Sequence, residues 1–258
     1  MMRFAIILIC LVSIFDVSGQ RFSFPDEYAQ EDAFNSQFEM NMEIEELKKE
    51  PFIAISLGEN CFPALHFWEY GIRIRSFPFD WDITPFSALY AILENDFEGF
   101  IDLKNLAINQ KENTVYNTRY QFKLNHDFDI KDWYDGPNGL TPRDQKSMEK
   151  YQRVLAYYHR RIARFYAVFD TGVPIYLFRR VVSANQAIKL NNLLKLKFPQ
   201  SNFTLVCIQD ERWDSPALWK DMPSNIVYYR VPHPIDHRLG QKNNFVGNIL
   251  KDLKLIKK

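Results

Sequence analysis

Short, nearly continuous apolar segments alternate with segments of helical periodicity along most of this chain. Four apolar segments have the length of a buried strand. They predict strands at Phe52–Leu57, Val173–Phe178, Phe203–Ile208 and Ile226–Val231. Strands that are apolar on both sides are typical of parallel sheets covered by helices on both faces. The pattern therefore predicts a layered α/β fold with a mixed, mostly parallel sheet flanked by helices.

Helical periodicity is clearest in the middle of the chain. Apolar residues recur at three- and four-residue steps from Met148 to Phe169, which predicts a long helix that ends before Gly172. His159, Arg161 and Arg164 fall outside this apolar stripe. Further helices are predicted at Phe86–Asn95, Ala184–Phe198 and Asn248–Lys258. The remaining predictions are strands at 72–76 and Tyr120–Leu124, irregular structure at 97–118 and a mobile surface loop at 134–144.

The amino terminus has the pattern of a secretory leader. Arg3 precedes the apolar run Phe4–Phe15, and small residues precede a predicted cleavage site before Gln20. The run is too short to span a bilayer comfortably, so we predict no stable membrane span after cleavage, with membrane tethering only if the leader is retained. We therefore predict a signal peptide at 1–19, a polar acidic linker or pro-like segment at 20–50, one α/β domain at 51–258 and a secreted or extracytoplasmic location.

Composition narrows the classes of partner and cofactor. Lys plus Arg and Asp plus Glu both number 32, and this balance argues against a nucleic-acid binder, which would carry a basic excess. Without the leader, Cys61 and Cys207 remain. They form either one bridge or two free thiols, and not a disulfide framework. His233 and His237 lack a third clustered ligand, so no metal or cofactor is predicted.

Cys61 directly follows the turn formed by Gly58, Glu59 and Asn60, where a strand leads into a helix. Asn60 is a good helix N-cap, and Pro63 suits the first helical turn. Unpaired amides and the helix dipole stabilise a thiolate at this position, so we predict a lowered pKa and a nucleophilic Cys61. The alternative is that Cys61 is a packed structural cysteine, since free cysteine is commonly buried.

A nucleophilic thiol needs a base, and His126 is the best candidate. It follows a predicted strand and has Asn125, Asp127 and Asp129 as neighbours, any of which could fix its tautomer. The alternative is a hydrogen-bonded surface histidine. Asp127 adjoins His126 and would point the other way if the strand continues.

Two further groups of residues are candidates for substrate contacts. Phe79 and Trp81 alternate and could line a cleft beside Cys61, with Asp80 turned the opposite way. Arg179 and Arg180 end a strand, and one of them could bind a substrate carboxylate or phosphate. The alternatives are core aromatics with a turn aspartate, and arginines that pair with local acids.

The segment ISLGENCFPALHFWEYGIRIRSFPFDW, with Asn117, Tyr120 and the later HDF at 126–128, resembles a family of unknown function described as papain-like cysteine peptidases (domain of unknown function 1796). The resemblance extends over Phe52–Val231. It implies Cys61 as nucleophile and His126 as general base. The papain-type CGSCW context is absent and no glutamine precedes Cys61, so Asn60 or the Cys61 amide would hold the oxyanion. Asp129 or Asp80 would complete the catalytic group.

Together these observations predict a cysteine hydrolase that transfers acyl groups from a peptide or another amide or ester. The alternative is an exported α/β ligand-binding or glycosyltransferase-like protein in which Cys61 is structural. Its ligand would then bind at the carboxyl ends of the strands.

Overall fold

The structure is a computed structural model that describes residues 37–124, 126–210, 215–231 and 245–257. The predicted signal peptide lies outside these residues, and so do His233 and His237.

Helices and strands alternate through the described residues. The helices are α1 (Gln37–Leu47), α2 (Phe62–Glu69), α3 (Phe86–Glu94), α4 (Gln145–Val168), α5 (Ala184–Lys197) and α6 (Phe245–Asp252). The strands are β1 (Ile53–Ser56), β2 (Leu106–Asn109), β3 (Thr114–Asn117), β4 (Phe122–Leu124), β5 (Trp133–Gly136), β6 (Gly139–Pro142), β7 (Ile175–Arg180), β8 (Phe203–Asp210) and β9 (Ile226–Val231). The predicted mixed α/β fold is confirmed.

The main sheet has the strand order β1-β7-β8-β9, and every neighbouring pair is parallel. Ser56 of β1 is opposite Phe178 of β7, and Arg180 of β7 is opposite Ile208 of β8. The carboxyl ends of these strands therefore meet at one edge of the sheet, where ligands bind in open α/β sheets.

Both faces of this sheet are covered, which explains why its strands are apolar without alternation. On one face, Ile55 and Leu177 belong to a core that includes residues of α3, α4 and α5. On the other face, Ala54, Phe178 and Val206 pack with residues of α2 and α6.

Two smaller antiparallel sheets correct the prediction for the middle of the chain. β2, β3 and β4 form one sheet, so 97–118 is not irregular. β5 and β6 form a hairpin where a mobile loop was predicted. The strand predicted at 72–76 is also wrong, because the amides of Ile72 and Arg73 both donate to the carbonyl of Phe67 at the end of α2.

Several element boundaries shift for local reasons. β7 begins two residues later than predicted, because Pro174 has no N–H to donate to the sheet. α6 begins and ends earlier than the predicted helix Asn248–Lys258.

Within the part of the chain that the structure describes, no helix combines the length and apolar character that crossing a membrane requires.

Candidate active site

The turn after β1 brings the Gly58-Glu59-Asn60 segment to the carboxyl edge of the main sheet. Gly58 has φ +76°, and a Cβ added there would lie 3.0 Å from both Cβ and Oγ1 of Thr84. Glu59 follows with φ +84°, a conformation that L residues rarely adopt. Such strain persists only where the surrounding structure enforces it, and it is concentrated at functional sites.

Cys61 occupies the N-cap position of α2, one residue later than predicted for the cap. Asn60 still contributes, because its Oδ1 accepts the amide of Phe62 at 3.0 Å. Pro63 lies in the first turn, as predicted, and α2 ends at Glu69, just before Gly71. The Cys61 side chain is half-buried at the amino end of this helix.

The lowered pKa predicted for Cys61 is wrong in this structure. Burial raises the pKa of the Cys61 thiol to about 11, and the negative charge of Glu59 acts in the same direction. The Cys61 amide, which hydrogen-bonds its own sulfur, and the positive charge of Arg180 lower the pKa by less. At neutral pH the group is therefore a thiol.

Arg180, the last residue of β7, lies beside this turn. Its Cζ is 4.8 Å from the centroid of the Phe62 ring, and its Nη1 is 3.3 Å from Oε2 of Glu59. Glu59, Cys61, Phe62 and Arg180 therefore form one group at the carboxyl edge of the sheet, which we call the edge cluster.

Arg179 has a different environment from its neighbour. Its Nη1 donates to the carbonyl of Leu57 at 2.9 Å, so it ties the end of β1 to β7. Burial lowers the pKa of Arg179 to about 10, and the nearby Cys207 is fully buried. Cys61 and Cys207 are both free thiols.

His126 follows β4 and is half-buried. Burial lowers the pKa of His126 to about 4, so the imidazole is neutral at physiological pH and able to accept a proton. The pairing of His126 with Cys61 stays a prediction.

A buried acidic group was not predicted from the sequence. Asp127 Oδ2 accepts the hydroxyl of Tyr158 at 2.7 Å, and the hydroxyl of Tyr157 contacts Asp127 Oδ1. Tyr158 Oη also lies 3.0 Å from Oδ2 of Asp82, which is fully buried. One phenol proton serves only one carboxylate at a time, and burial favours a proton on the other carboxyl group. We call these three residues the Asp82–Tyr158–Asp127 cluster.

The pKa values of the two aspartates in this cluster are both raised, which favours a proton on one of them. Burial raises the pKa of Asp82 well above its usual value, and the charge of Asp127 adds to that effect. Burial also raises the pKa of Asp127, while the nearby Arg161 lowers it. Arg161 is itself buried, with Cζ 4.4 Å from the centroid of the Tyr157 ring. α4 therefore buries Arg161, a charged side chain outside its apolar stripe, as well as the stripe itself.

The FPFDW segment lies mainly in the core. Phe79 is fully buried, with its ring centroid 5.3 Å from that of Phe97, and Trp81 is 8% exposed. Asp80 accepts the Phe77 amide and Arg73 Nη2, each at 3.0 Å. These contacts favour the interpretation of core aromatics with a turn aspartate.

Asp129 caps the short 3-10 helix Ile130–Asp132, where its Oδ1 accepts the amide of Lys131 at 3.1 Å. The assignment of the third catalytic residue to Asp129 or Asp80 stays a prediction. Among the described residues, no three His, Cys, Asp or Glu side chains converge in a way that could hold a metal ion.

Comparison with known protein families identifies the family to which this chain belongs. The model of the family described as "putative papain-like cysteine peptidase", domain of unknown function 1796, matches residues 53–208, more than half of the chain. The chain belongs to this family. No curated protein and no solved structure matches it.

The part matched by the papain-like family model begins at β1 and ends within β8. It includes the edge cluster and the Asp82–Tyr158–Asp127 cluster. The sequence did not predict Glu59, Asp82 or Arg161 as site residues. Asp82 follows the FPFDW segment directly, so it lies next to a segment that carries the family resemblance.

Proposed function

We propose that this protein is a cysteine hydrolase that transfers acyl groups from amide or ester substrates, peptides included, to water. The observation that carries the proposal is the position of Cys61, half-buried at the N-cap of α2 and at the carboxyl edge of the parallel sheet. Membership of the papain-like family supports the same chemistry.

In the proposed reaction, Cys61 Sγ attacks the substrate carbonyl carbon while His126 takes the thiol proton. The sulfur–carbon bond forms, the bond from the acyl carbon to the leaving nitrogen or oxygen breaks, and His126 gives its proton to the departing amine or alcohol. His126 then deprotonates a water molecule, which attacks the thioester and releases the acid and the Cys61 thiol. The Phe62 amide is bonded to Asn60, whereas the Cys61 amide is bonded to its own sulfur. The Cys61 amide is therefore the proposed oxyanion donor once that sulfur has bonded to the acyl carbon.

The resting electrostatics determine how the proton moves. With a Cys61 pKa of about 11 and a His126 pKa of about 4, transfer in the free protein costs on the order of 10 kcal/mol. A resting thiolate–imidazolium pair is therefore not part of the proposal. Proton transfer accompanies attack on the bound substrate, as in general-base catalysis.

We also propose Phe79, Asp80 and Trp81 as substrate contacts. Because these side chains are buried in the free protein, this proposal requires that they move when the substrate binds. We likewise propose the signal peptide at 1–19, the linker at 20–50 and export, on the strength of the amino-terminal pattern alone.

A second candidate is an exported α/β ligand-binding or glycosyltransferase-like protein in which Cys61 is structural. The raised pKa of Cys61 specifically favours it, because a thiol that is not ionised is a poor nucleophile.

Hydrolysis of 4-nitrophenyl acetate and of acyl-peptide 4-nitroanilides separates the two candidates. We expect turnover by the full chain, a loss of at least about a hundredfold in Cys61→Ala, and retention in the matched control Cys207→Ala. Equal rates for the unchanged protein and Cys61→Ala would exclude the hydrolase.

A further inference from the structure

We propose that Arg180 is a carboxylate-binding residue beside Cys61, and that Glu59 occupies its site until a substrate carboxylate replaces it. This inference rests on the proposed function where it concerns a substrate. It assigns to the edge cluster a preference for acyl compounds with a carboxylate close to the reacting carbonyl.

The first observation is the incomplete bonding of a buried guanidinium. Arg180 is 3% exposed, yet its Nε and Nη1 have no hydrogen-bond partner within the part of the chain that the structure describes. Burying such donors without partners is costly, since each hydrogen bond to a charged group contributes about 1.5–3 kcal/mol. A ligand with two acceptor oxygens would offset that cost.

The second observation is the weakness of the existing ion pair. Glu59 Oε2 lies 3.3 Å from Arg180 Nη1, but the two atoms do not have hydrogen-bond geometry, and Oε2 has no other partner among the described residues. The Glu59 side chain is 26% exposed, and its backbone has φ +84°. Release of Glu59 would therefore break no hydrogen bond at this oxygen.

The third observation is the rigid support of Arg180. The guanidinium packs over the Phe62 ring, and the Arg180 backbone pairs with Ile208 of β8. A fork held in this way loses little freedom on binding, which suits bidentate recognition of a planar anion. Phe62 adjoins Cys61, so an anion on Arg180 lies close to the thiol.

Arg179 provides an internal comparison. It is equally buried, and its Nε also has no hydrogen-bond partner among the described residues, but its Nη1 donates to the Leu57 carbonyl at 2.9 Å. Its role is to hold β1 against β7. Of the two arginines that end β7, Arg180 is therefore the one assigned to the ligand.

The charges around Arg180 favour a carboxylate over phosphate. The negative charges of Glu59 and Asp210 both act on Arg180. A substrate carboxylate that replaces the Glu59 carboxylate leaves the local charge unchanged, whereas a phosphate dianion would add repulsion.

Alkylation of Cys61 by iodoacetate and iodoacetamide tests this inference without a known substrate. In both reactions a bond from Sγ to carbon forms and iodide leaves, but only iodoacetate carries a carboxylate. The full chain is alkylated at pH 9, and peptide mapping gives the rate at Cys61. The result is expressed as the ratio of the iodoacetate rate to the iodoacetamide rate, in which the thiolate fraction of Cys61 cancels. This ratio is divided by the same ratio for free cysteine, which corrects for the different intrinsic reactivity of the two reagents.

We expect a normalised ratio of about ten or more for the unchanged protein, saturation with iodoacetate, and protection by acetate at lower concentration than by phosphate. Arg180→Gln should bring the ratio to about one, and Glu59→Gln should raise it severalfold. A ratio near one in both the unchanged protein and Glu59→Gln would overturn the inference, even if Arg180→Gln fails to fold. Stronger protection by phosphate would overturn the choice of carboxylate.

This experiment is independent of turnover. A high ratio in a protein that hydrolyses no ester or anilide would support the carboxylate site and exclude the proposed hydrolase function. Hydrolysis that depends on Cys61, together with a ratio near one, would retain the hydrolase and exclude the role of Arg180.

Discussion

The hydroxyl of Tyr158 lies 2.7 Å from Oδ2 of Asp127, and the same hydroxyl lies 3.0 Å from Oδ2 of Asp82. Tyr158 belongs to α4, Asp82 follows the FPFDW segment, and Asp127 follows His126. One phenol therefore joins the central helix to two segments that carry the family resemblance. Burial favours a proton on one of the two carboxyl groups, and Asp82 is the better holder because Asp127 also contacts the Tyr157 hydroxyl.

Asp82→Asn should change how stability depends on pH. The raised pKa of Asp82 in the folded protein means that its contribution is fully present below pH 3.8, the ordinary aspartate value, and is lost as pH rises through the folded pKa. Asparagine mimics the protonated acid, so the variant should gain stability relative to the unchanged protein between pH 4 and 8. The gain is about 1.4 kcal/mol for each unit by which the pKa is raised. Urea unfolding at several pH values measures it.

Asp144→Asn is the control for this measurement. Asp144 caps α4, and its bonds to the amide and hydroxyl of Ser147 lower its pKa. Its contribution is therefore present above the ordinary value and is lost as pH falls, so Asp144→Asn should show the opposite trend. Parallel stability curves for Asp82→Asn and the unchanged protein would contradict a buried proton.

Alkylation of Cys61 by iodoacetamide should accelerate about tenfold per pH unit from pH 6 to 9. With a pKa of about 11, only about one molecule in ten thousand is a thiolate at pH 7. Free cysteine levels off near its own pKa of about 8.5 and serves as the reference. Cys207, buried in β8, should react only on unfolding. A plateau for Cys61 below pH 8 would show that the thiol is already ionised.

His126→Gln should lower kcat/KM for 4-nitrophenyl acetate by about a hundredfold to ten-thousandfold, as loss of a general base does. Because the free-protein pKa of His126 is about 4, the acidic limb of the unchanged protein's kcat/KM profile should fall near pH 4 and be absent in the variant. His159→Gln, on the exposed side of α4, is the matched control and should retain activity. An unchanged profile in His126→Gln would reject His126 as the base.

Gly58→Ala should destabilise the fold more than Gly172→Ala does. Both glycines have φ +76°, so both variants pay about 1–2 kcal/mol for a left-handed alanine. Only at Gly58 does the added Cβ meet Thr84, at 3.0 Å, which adds about 1–3 kcal/mol of overpacking; at Gly172 nothing lies within 4 Å. Urea unfolding of the two variants gives the difference. Equal losses would show that the turn moves away from Thr84 without cost.

The sheet could be predicted from the sequence because burial on both faces makes most positions of its strands apolar without alternation. The four predicted strands of the main sheet are present, with β7 displaced by Pro174. The hairpin of β5 and β6 could not be predicted so easily. Its strands are short and rich in turn-forming residues, and their pairing depends on contacts with distant segments.

The candidate site was predictable in part. The sequence placed Cys61 and Arg180 at strand ends, and a parallel sheet brings such ends together. The sequence does not reveal burial, which dominates the pKa of Cys61 and opposes the helix dipole. Arg161 and Asp82 are also buried. The sequence around each residue does not distinguish it from a charged residue on the surface.

The bond from Arg179 to the Leu57 carbonyl joins residues that are 122 positions apart. Contacts of such high sequence separation carry a loop-closure entropy that local contacts do not, and they slow folding. During synthesis, Cys61 leaves the ribosome long before the strand that supplies Arg179 and Arg180. A nascent chain thus carries the thiol without its cationic neighbour, and any chemistry that needs both begins only after the two distant strands have joined.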